Sequence, residues 1–169
     1  MTAGTTAGTI AGVSAETLAR ARRFLAEDPD PETRAELEGL LRRAEGGDAP
    51  ACADLVERFV GTLSFGTAGL RGKVEAGSAR MNRSVVIQAS FGVGAYLLEQ
   101  GGRFDVDAKR QGVVVGFDGR LSSRQFAEDT AAVLAAQGIP AHLFVDPVPT
   151  PLCAFAVEKL GAAAGVMVT

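Results

Sequence analysis

The chain has 169 residues, of which 47% are apolar and 22% charged; that is one ordinary domain or one domain with an appendage, with enough apolar residues for a real core and too little charge for a polyelectrolyte. Lys and Arg number 17 against 20 Asp and Glu, a formal net charge of -3, which excludes electrostatic nucleic-acid binding as the default and still permits a local cationic pocket for a small anion. No apolar run approaches the roughly 20 residues that span a bilayer, and MTAGTTAGTIAGV lacks the basic region and apolar core of a signal peptide, so a cytoplasmic protein with no membrane partner is expected.

Residues 1–13 read as a mobile Gly/Thr/Ala tail, and residues 14–61 as three short helices. The first opens at Ser14, carries Leu18, Ala21 and Leu25 on one face, and is broken by DPDP, Asp28 to Pro31. Asp30 can cap a second helix with Pro31 at its first position, where the missing N–H costs nothing. Leu37, Leu40, Leu41 and Ala44 come next at helical spacing, and Gly46 and Gly47 end the run. The third helix starts near Ala49 and aligns Cys52, Leu55, Val56 and Phe59. Three narrow stripes cannot make a core alone, so this segment is expected to pack on the remainder of the chain.

Residues 62–169 read as an α/β domain. Gly-rich text (SFGTAGLRGKVEAG) leads to RMNRS, where Asn82 is a plausible N-cap for a helix from about Arg83 to Gln100. That helix is apolar over most of its surface, which predicts burial; Gly92 and Gly94 within it read as close-packing points. The continuous apolar run Gly112 to Phe117 predicts an interior parallel strand. Ser122 with Gln125 matches a capping box, Phe126, Thr130, Val133 and Leu134 form a stripe, and Gly138 terminates the helix. A strand (Ala141 to Val145), a Pro-rich turn (Pro147 to Pro151), a helix to about Leu160 and a strand (Ala164 to Val168) complete a βαβαβ unit. Such a unit has right-handed crossovers and a mostly parallel sheet covered on both faces, a three-layer α/β/α domain.

Two places could carry chemistry. Open α/β sheets bind ligands at the carboxyl ends of their strands. The first strand ends in FDGRLSS, presenting Asp118, Gly119, Arg120, Ser122 and Ser123; the second ends in DPVPTP, presenting Asp146 and Thr150; the third ends at Thr169. An Arg, several hydroxyls and a helix N-terminus are the equipment of an oxyanion or phosphate site, although Asp118 and Ser122 could equally cap turns and leave Arg120 a solvated charge. The second place is FGTAGLRG, Phe65 to Gly72, where Gly66, Gly69 and Gly72 recur every third residue beside Thr67 and Arg71. Glycine lets backbone approach an anion closely, but the spacing matches neither G-x-G-x-x-G nor a P-loop. The single histidine, His142, reads as a core or edge residue, and Thr150 as a turn-shaping one. Cys52 and Cys153 lie far apart with no ligand-spaced partner, so buried free thiols are expected, with neither a disulfide nor a zinc site.

FGTAGLRG, then RMN, a buried helix, GFDGRLSS, PVPTP and AAAGVMVT, in that order, resemble the first domain of the α-D-phosphohexomutase family. The likeness covers residues 28–169 and is strongest to the bacterial phosphomannomutase/phosphoglucomutase type and the phosphopentomutase-like branch. It implies an isomerase of carbohydrate metabolism that moves a phosphoryl group between the 1- and 6- (or 5-) positions of a sugar phosphate through a phosphoserine and a bisphosphate intermediate. It also implies magnesium (Mg2+) and a sugar bisphosphate activator, with small sugar phosphates as partners. Arg71 would lie beside the phosphoserine as the catalytic cation, with Thr67 and Lys73 flanking it in the same loop. Arg120, Ser122 and Ser123 would border the same cleft, and Thr169 would directly precede the serine loop. In the family, a stretch like GVMVT runs into Ala-Ser-His-Asn-Pro, and later domains carry the magnesium, specificity and distal phosphate loops. This chain is therefore expected to be the amino-terminal part of such an enzyme, inactive alone.

Two other classes stay open. A non-catalytic phosphosugar-binding module could use only the regions of Arg71 and Arg120. A nucleotide-binding domain is disfavoured, because no acidic ribose-binding residue follows a strand-glycine-helix unit.

Overall fold

A computed structural model describes Ile10 and residues 12–169. They form two compact units, one up to Val85 and one over Val86–Thr169. Among the described residues no helix is long and apolar enough to cross a membrane.

The first unit is built on α1 (Ala15–Glu27), α2 (Pro31–Glu45) and α3 (Ala49–Phe59), with two short strands, β1 (Phe65–Gly66) and β2 (Gly69–Leu70), after them. Each helix begins where a short polar side chain satisfies an open backbone donor. Ser14 accepts from Thr17 N at 3.1 Å, Asp30 from Glu32 N at 2.9 Å and Asp48 from Ala51 N at 3.3 Å. The apolar stripes meet in one core that includes Leu18, Leu37, Leu40, Leu55 and Phe59, with the Phe24 ring edge-on to Phe59 at 5.7 Å. From the residues beyond α3, this core takes in only Ala76. The expected tail shortens at its carboxyl end: Ile10 and Val13 are buried in the same core, since apolar side chains beside an open helical face gain by covering it. Residues 1–9 and 11 of that tail lie outside the described residues.

The compact units part after Val85, and the expected domain break between residues 61 and 62 falls within the first of them. Residues 62–82 fold back on α3: Ala79 N donates to Arg58 O at 3.0 Å, and Asp54, Glu36 and Glu75 surround the Arg58 side chain. Polar anchoring, with Ala76 its one residue in the core, therefore adds this segment to the first unit.

The second unit is the expected α/β/α arrangement. After α4 (Arg83–Gln100), whose first turn closes the first unit, come a 3-10 turn (Gly101–Phe104), α5 (Ala108–Gln111), β3 (Val113–Phe117), α6 (Ser123–Ala136), β4 (Ala141–Leu143), α7 (Thr150–Leu160) and β5 (Ala164–Val168). The last three strands pair in parallel in the order β4-β3-β5. Every residue of β3 is buried, as its unbroken apolar run requires. Val113, Val115 and Phe117 face a core shared with Ala127 and Leu134 of α6. On the other face, a Cβ at Gly116 would lie 3.1 Å from Cys153 Sγ, and one at Gly165 would lie 2.6 Å from Val157 Cγ2, so two glycines let α7 lie close on the sheet. The crossovers run in opposite directions with helices on opposite faces, so they share one hand.

Several local expectations change. The helix α4 is not buried all round: Val86, Ser90 and Gly94 are buried, whereas Phe91, Tyr96 and Leu98 are exposed. Its contact row is the narrow i, i+4, i+8 face, where Ser90 Oγ meets Thr130 Oγ1 at 2.9 Å and a Cβ on Gly94 would fall 2.6 Å from Gln137 Oε1. Gly92 faces open space and is not a packing point. The strand β4 stops at Leu143, and the Pro-rich turn is shorter than expected, because Pro149 takes the N-cap position and Thr150 already begins α7. Cys52 and Cys153 are buried free thiols, and burial pushes the Cys153 thiol up, away from nucleophilic character. His142 sits exposed on the edge strand β4.

Two glycines separate strain from freedom. Gly77 has φ +132° and its Cβ would meet Arg58 O at 2.8 Å. Gly77→Ala should therefore cost about 2 kcal/mol or more, read as a lower urea midpoint. Gly92→Ala, in mid-helix with nothing near it, should instead gain about 1 kcal/mol.

Candidate functional site

The glycine-rich loop forms a small hairpin in the first unit, in which β1 and β2 pair antiparallel. The turn between them holds Thr67, and Gly69 has φ +91°, a conformation that favours glycine. Both legs are tied to residues 78–81. Leu63 N donates to Ser78 O at 3.2 Å and Met81 N to Lys73 O at 2.8 Å. Gly72 lets the return leg pass under Leu63, where a Cβ would meet Leu63 Cδ1 at 3.0 Å.

Thr67, Arg71 and Lys73 are all exposed on this loop. Lys73 Nζ lies 3.9 Å from Glu57 Oε1. Arg71 makes no ion pair or side-chain hydrogen bond among the described residues, so its whole donor fork is open to an oxyanion. A guanidinium offers two parallel N–H···O bonds to such a group.

The second cluster lies at the carboxyl edge of the sheet in the second unit. The strands β3 and β5 end together, with Asp118 N donating to Val168 O at 3.0 Å, and Thr169 is exposed beside them. Asp118 organises this edge. Its Oδ1 accepts from Ser123 Oγ at 2.7 Å and from Arg120 N at 3.1 Å, and its Oδ2 lies 3.2 Å from Arg120 Nε. The Ser123 hydroxyl, followed by the Arg120 backbone and charge, outweighs desolvation and holds the Asp118 carboxyl below its usual value.

These bonds divide the expected site residues. Ser123 is buried and committed to Asp118. The capping box does not form: Ser122 makes no side-chain cap bond, because its backbone at φ -99°, ψ -6° is not the extended cap conformation. Arg120 is exposed yet already engaged through Nε. Thus Thr67, Arg71 and Lys73 share one loop, and Arg120, Ser122, Ser123 and Thr169 share one sheet edge, each group within its own unit.

Among the described residues no group of three or more His, Cys, Asp or Glu is placed to hold a metal ion.

A family model described as phosphoglucomutase/phosphomannomutase, alpha/beta/alpha domain I, matches residues 62–169. The chain belongs to that family. Curated relatives agree with it. The glucose 1,6-bisphosphate synthase of Homo sapiens is 40% identical over 153 residues, 87% of this chain and 23% of the relative. A probable phosphoribomutase of Schizosaccharomyces pombe is 43% identical over 142 residues, 84% of this chain and 22% of the relative. The phosphopentomutase of Homo sapiens is 41% identical over 122 residues, covering 69% and 19%. The chain thus spans under a quarter of the length of these relatives. No solved structure matches it. The family match begins at Thr62, inside the first compact unit, so the family domain and the compact units divide the chain at different points.

Sequence reasoning missed the two buried arginines beneath the glycine-rich loop, Arg58 and Arg80. The available signal was Asp54 and Arg58 at i, i+4 on a helix whose other inward positions are apolar.

The lowered pKa of Asp118 sets a pH dependence. A carboxyl depressed in the folded state contributes stability above its ordinary range and loses it as pH falls through the lowered value. Asp118→Asn should therefore be less stable than the parent at neutral pH, and the difference in urea midpoint should shrink as pH falls through the lowered Asp118 value.

Proposed function

We propose that the chain supplies domain I of a phosphosugar mutase, which moves a phosphoryl group between the 1- and 6- (or 5-) positions of a sugar phosphate through a phosphoserine and a bisphosphate intermediate. The observation that carries this reading is the family match over residues 62–169, which takes in both candidate clusters. The relatives are named for a phosphoribomutase, a phosphopentomutase and a glucose 1,6-bisphosphate synthase activity, each of which concerns phosphoryl groups on sugars. The phosphoserine is assigned to the Ala-Ser-His-Asn-Pro loop expected after Thr169, and a sugar bisphosphate to the role of activator. The protein is proposed to be cytoplasmic.

Within this chain, Arg71 is the residue proposed to act on the reacting group. Phosphoryl transfer needs positioning and charge stabilisation more than covalent chemistry from the protein. The open fork of Arg71 would hold two oxygens of the phosphoryl group as charge redistributes over them. Thr67 and Lys73 would add a hydroxyl and a point charge on the same loop. Arg120, Ser122 and Thr169 would border the substrate, with Ser123 acting through Asp118 to hold that edge. Magnesium, when bound, would neutralise charge on the transferring group, and its ligands are proposed to lie in other parts of the protein.

The test uses the complete reading frame that encodes this chain, assayed by coupled turnover of glucose 1-phosphate, mannose 1-phosphate and ribose 1-phosphate with magnesium and a bisphosphate. Turnover is expected from the complete protein and not from the 169-residue chain. Turnover by the chain alone would overturn the placement of the nucleophile. Binding of sugar phosphates without turnover by the complete protein would favour a phosphosugar-binding module. In the active protein, Arg71→Ala should lower kcat/KM by about a hundredfold or more, near 3 kcal/mol of transition-state stabilisation. Arg71→Lys should not rescue it, because the fork is lost. Arg120→Ala should have a smaller effect, since Asp118 already engages that side chain.

A further inference from the structure

The glycine-rich loop cannot hold its own position by apolar packing. From Ser64 to Val74 no residue is buried, and Phe65 and Val74 are 68% and 59% exposed. The first buried side chain after it is Ala76. Both legs of the loop hydrogen-bond instead to residues 78–81, through Ser78 O and the backbone of Met81. Where the loop stands therefore depends on what holds residues 75–81.

Two buried guanidiniums hold them. The Arg58 and Arg80 side chains are 8% and 6% exposed. Arg58 reaches Glu36 of α2 at 2.5 Å, Asp54 of α3 at 3.0 Å, Ala76 O at 3.3 Å and Glu75 at 3.6 Å. Glu36 in turn accepts from Ala76 N at 3.0 Å. Arg80 donates to Glu75 at 2.9 Å and to Glu57 of α3 at 2.8 Å. Glu75 is thus shared by both arginines. Asn82 completes the segment, donating to Glu75 O and Gly77 O at 3.0 and 2.8 Å while capping α4 through Val85 N. The RMN sequence so acquires a physical role: a strut, a backbone bridge and a cap in three consecutive residues.

We propose that Arg58 and Arg80, through their shared partner Glu75, are positioning residues that fix where the glycine-rich loop presents Arg71. The inference rests on the reading of Arg71 as the phosphate-gripping residue. Each arginine bridges a helix of the first unit to residues 75–76, directly after the loop. A fork is required at both positions, because each guanidinium joins at least two acceptors on different elements. A lysine at position 80 keeps the charge and cannot span Glu75 and Glu57 together.

The experiment follows amide hydrogen exchange and turnover together in the complete protein, for Arg80→Lys, Glu75→Gln, Arg71→Ala and the double variant Arg71→Ala with Arg80→Lys. Exchange across residues 63–74 and 78–81 should quicken by about tenfold or more in Arg80→Lys while α1, α2 and α3 keep their protection. Turnover should fall by about tenfold or more in Arg80→Lys, and the double variant should be little worse than Arg71→Ala alone, as expected when one residue acts through the other. Glu75→Gln should give the same pattern and decides the matter if Arg80→Lys does not fold. Unchanged loop exchange, equal loosening of the three helices, or losses that multiply independently would each overturn the proposal. Near-parental turnover in Arg71→Ala would instead sink the reading of the phosphate site, and loop exchange would still decide whether the strut exists.

Discussion

A buried guanidinium must find acceptors for its five donors or forfeit its solvation, and the first unit is organised around two of them. Removing one partner of such a group costs far more than the pair contributes net. For Arg58, burial by itself works against the charged form, and hydrogen bonds to Asp54 and Glu36 outweigh it and push its pKa up. This demand pins α2, α3 and residues 75–81 into one arrangement. The glycine-rich loop, which has no core of its own, inherits its position from that arrangement. Charge pairing therefore governs where the loop that carries Arg71 stands, and apolar burial contributes little to it.

The second unit obeys a different logic. Its sheet is held by apolar contact on one face and by close approach on the other. Gly116 and Gly165 leave room for Cys153 and Val157 of α7, so the helix sits nearer the strands than a side chain at either position would allow. Parallel pairing then collects the ends of β3 and β5 at one edge, and Asp118 converts that edge into a hydrogen-bonded corner with Ser123 and Arg120. The carboxylate serves as an organiser, which leaves Arg120 partly spent before any ligand arrives. Arg71 differs in having its fork open, so the two arginines differ in how many donors they have left to offer.

Much of the fold was legible from the residues because the controlling interactions are local. Ser14, Asp30 with Pro31, Asp48 and Asn82 act on backbone donors within three residues, so helix starts are set by short strings of text. The run Val113 to Phe117 could only be an interior strand, since both faces are apolar. The choice between Ser122 and Ser123 was not legible in the same way. Both are hydroxyls at a helix start, and the backbone angle at Ser122, together with the position of Asp118 at the end of β3, settled which one is bonded.

The sequence by itself determined the three amino-terminal helices, the strands and helices of the βαβαβ unit, the parallel α/β class, the family and the two segments that carry the candidate cations, because periodicity, caps and motif order are properties of neighbouring residues; the β1–β2 hairpin and α5 carried no such signal. Only the tertiary structure decided that α4 buries a narrow row and exposes Phe91 and Tyr96, that residues 62–82 join the helical unit, and that Arg58 and Arg80 lie buried beneath the loop. Those outcomes depend on distant partners, 40 residues apart for Ser90 with Thr130, 22 for Arg58 with Glu36 and 23 for Arg80 with Glu57. No local preference encodes such a pairing; it exists once packing has removed water and left each charge to its nearest opposite.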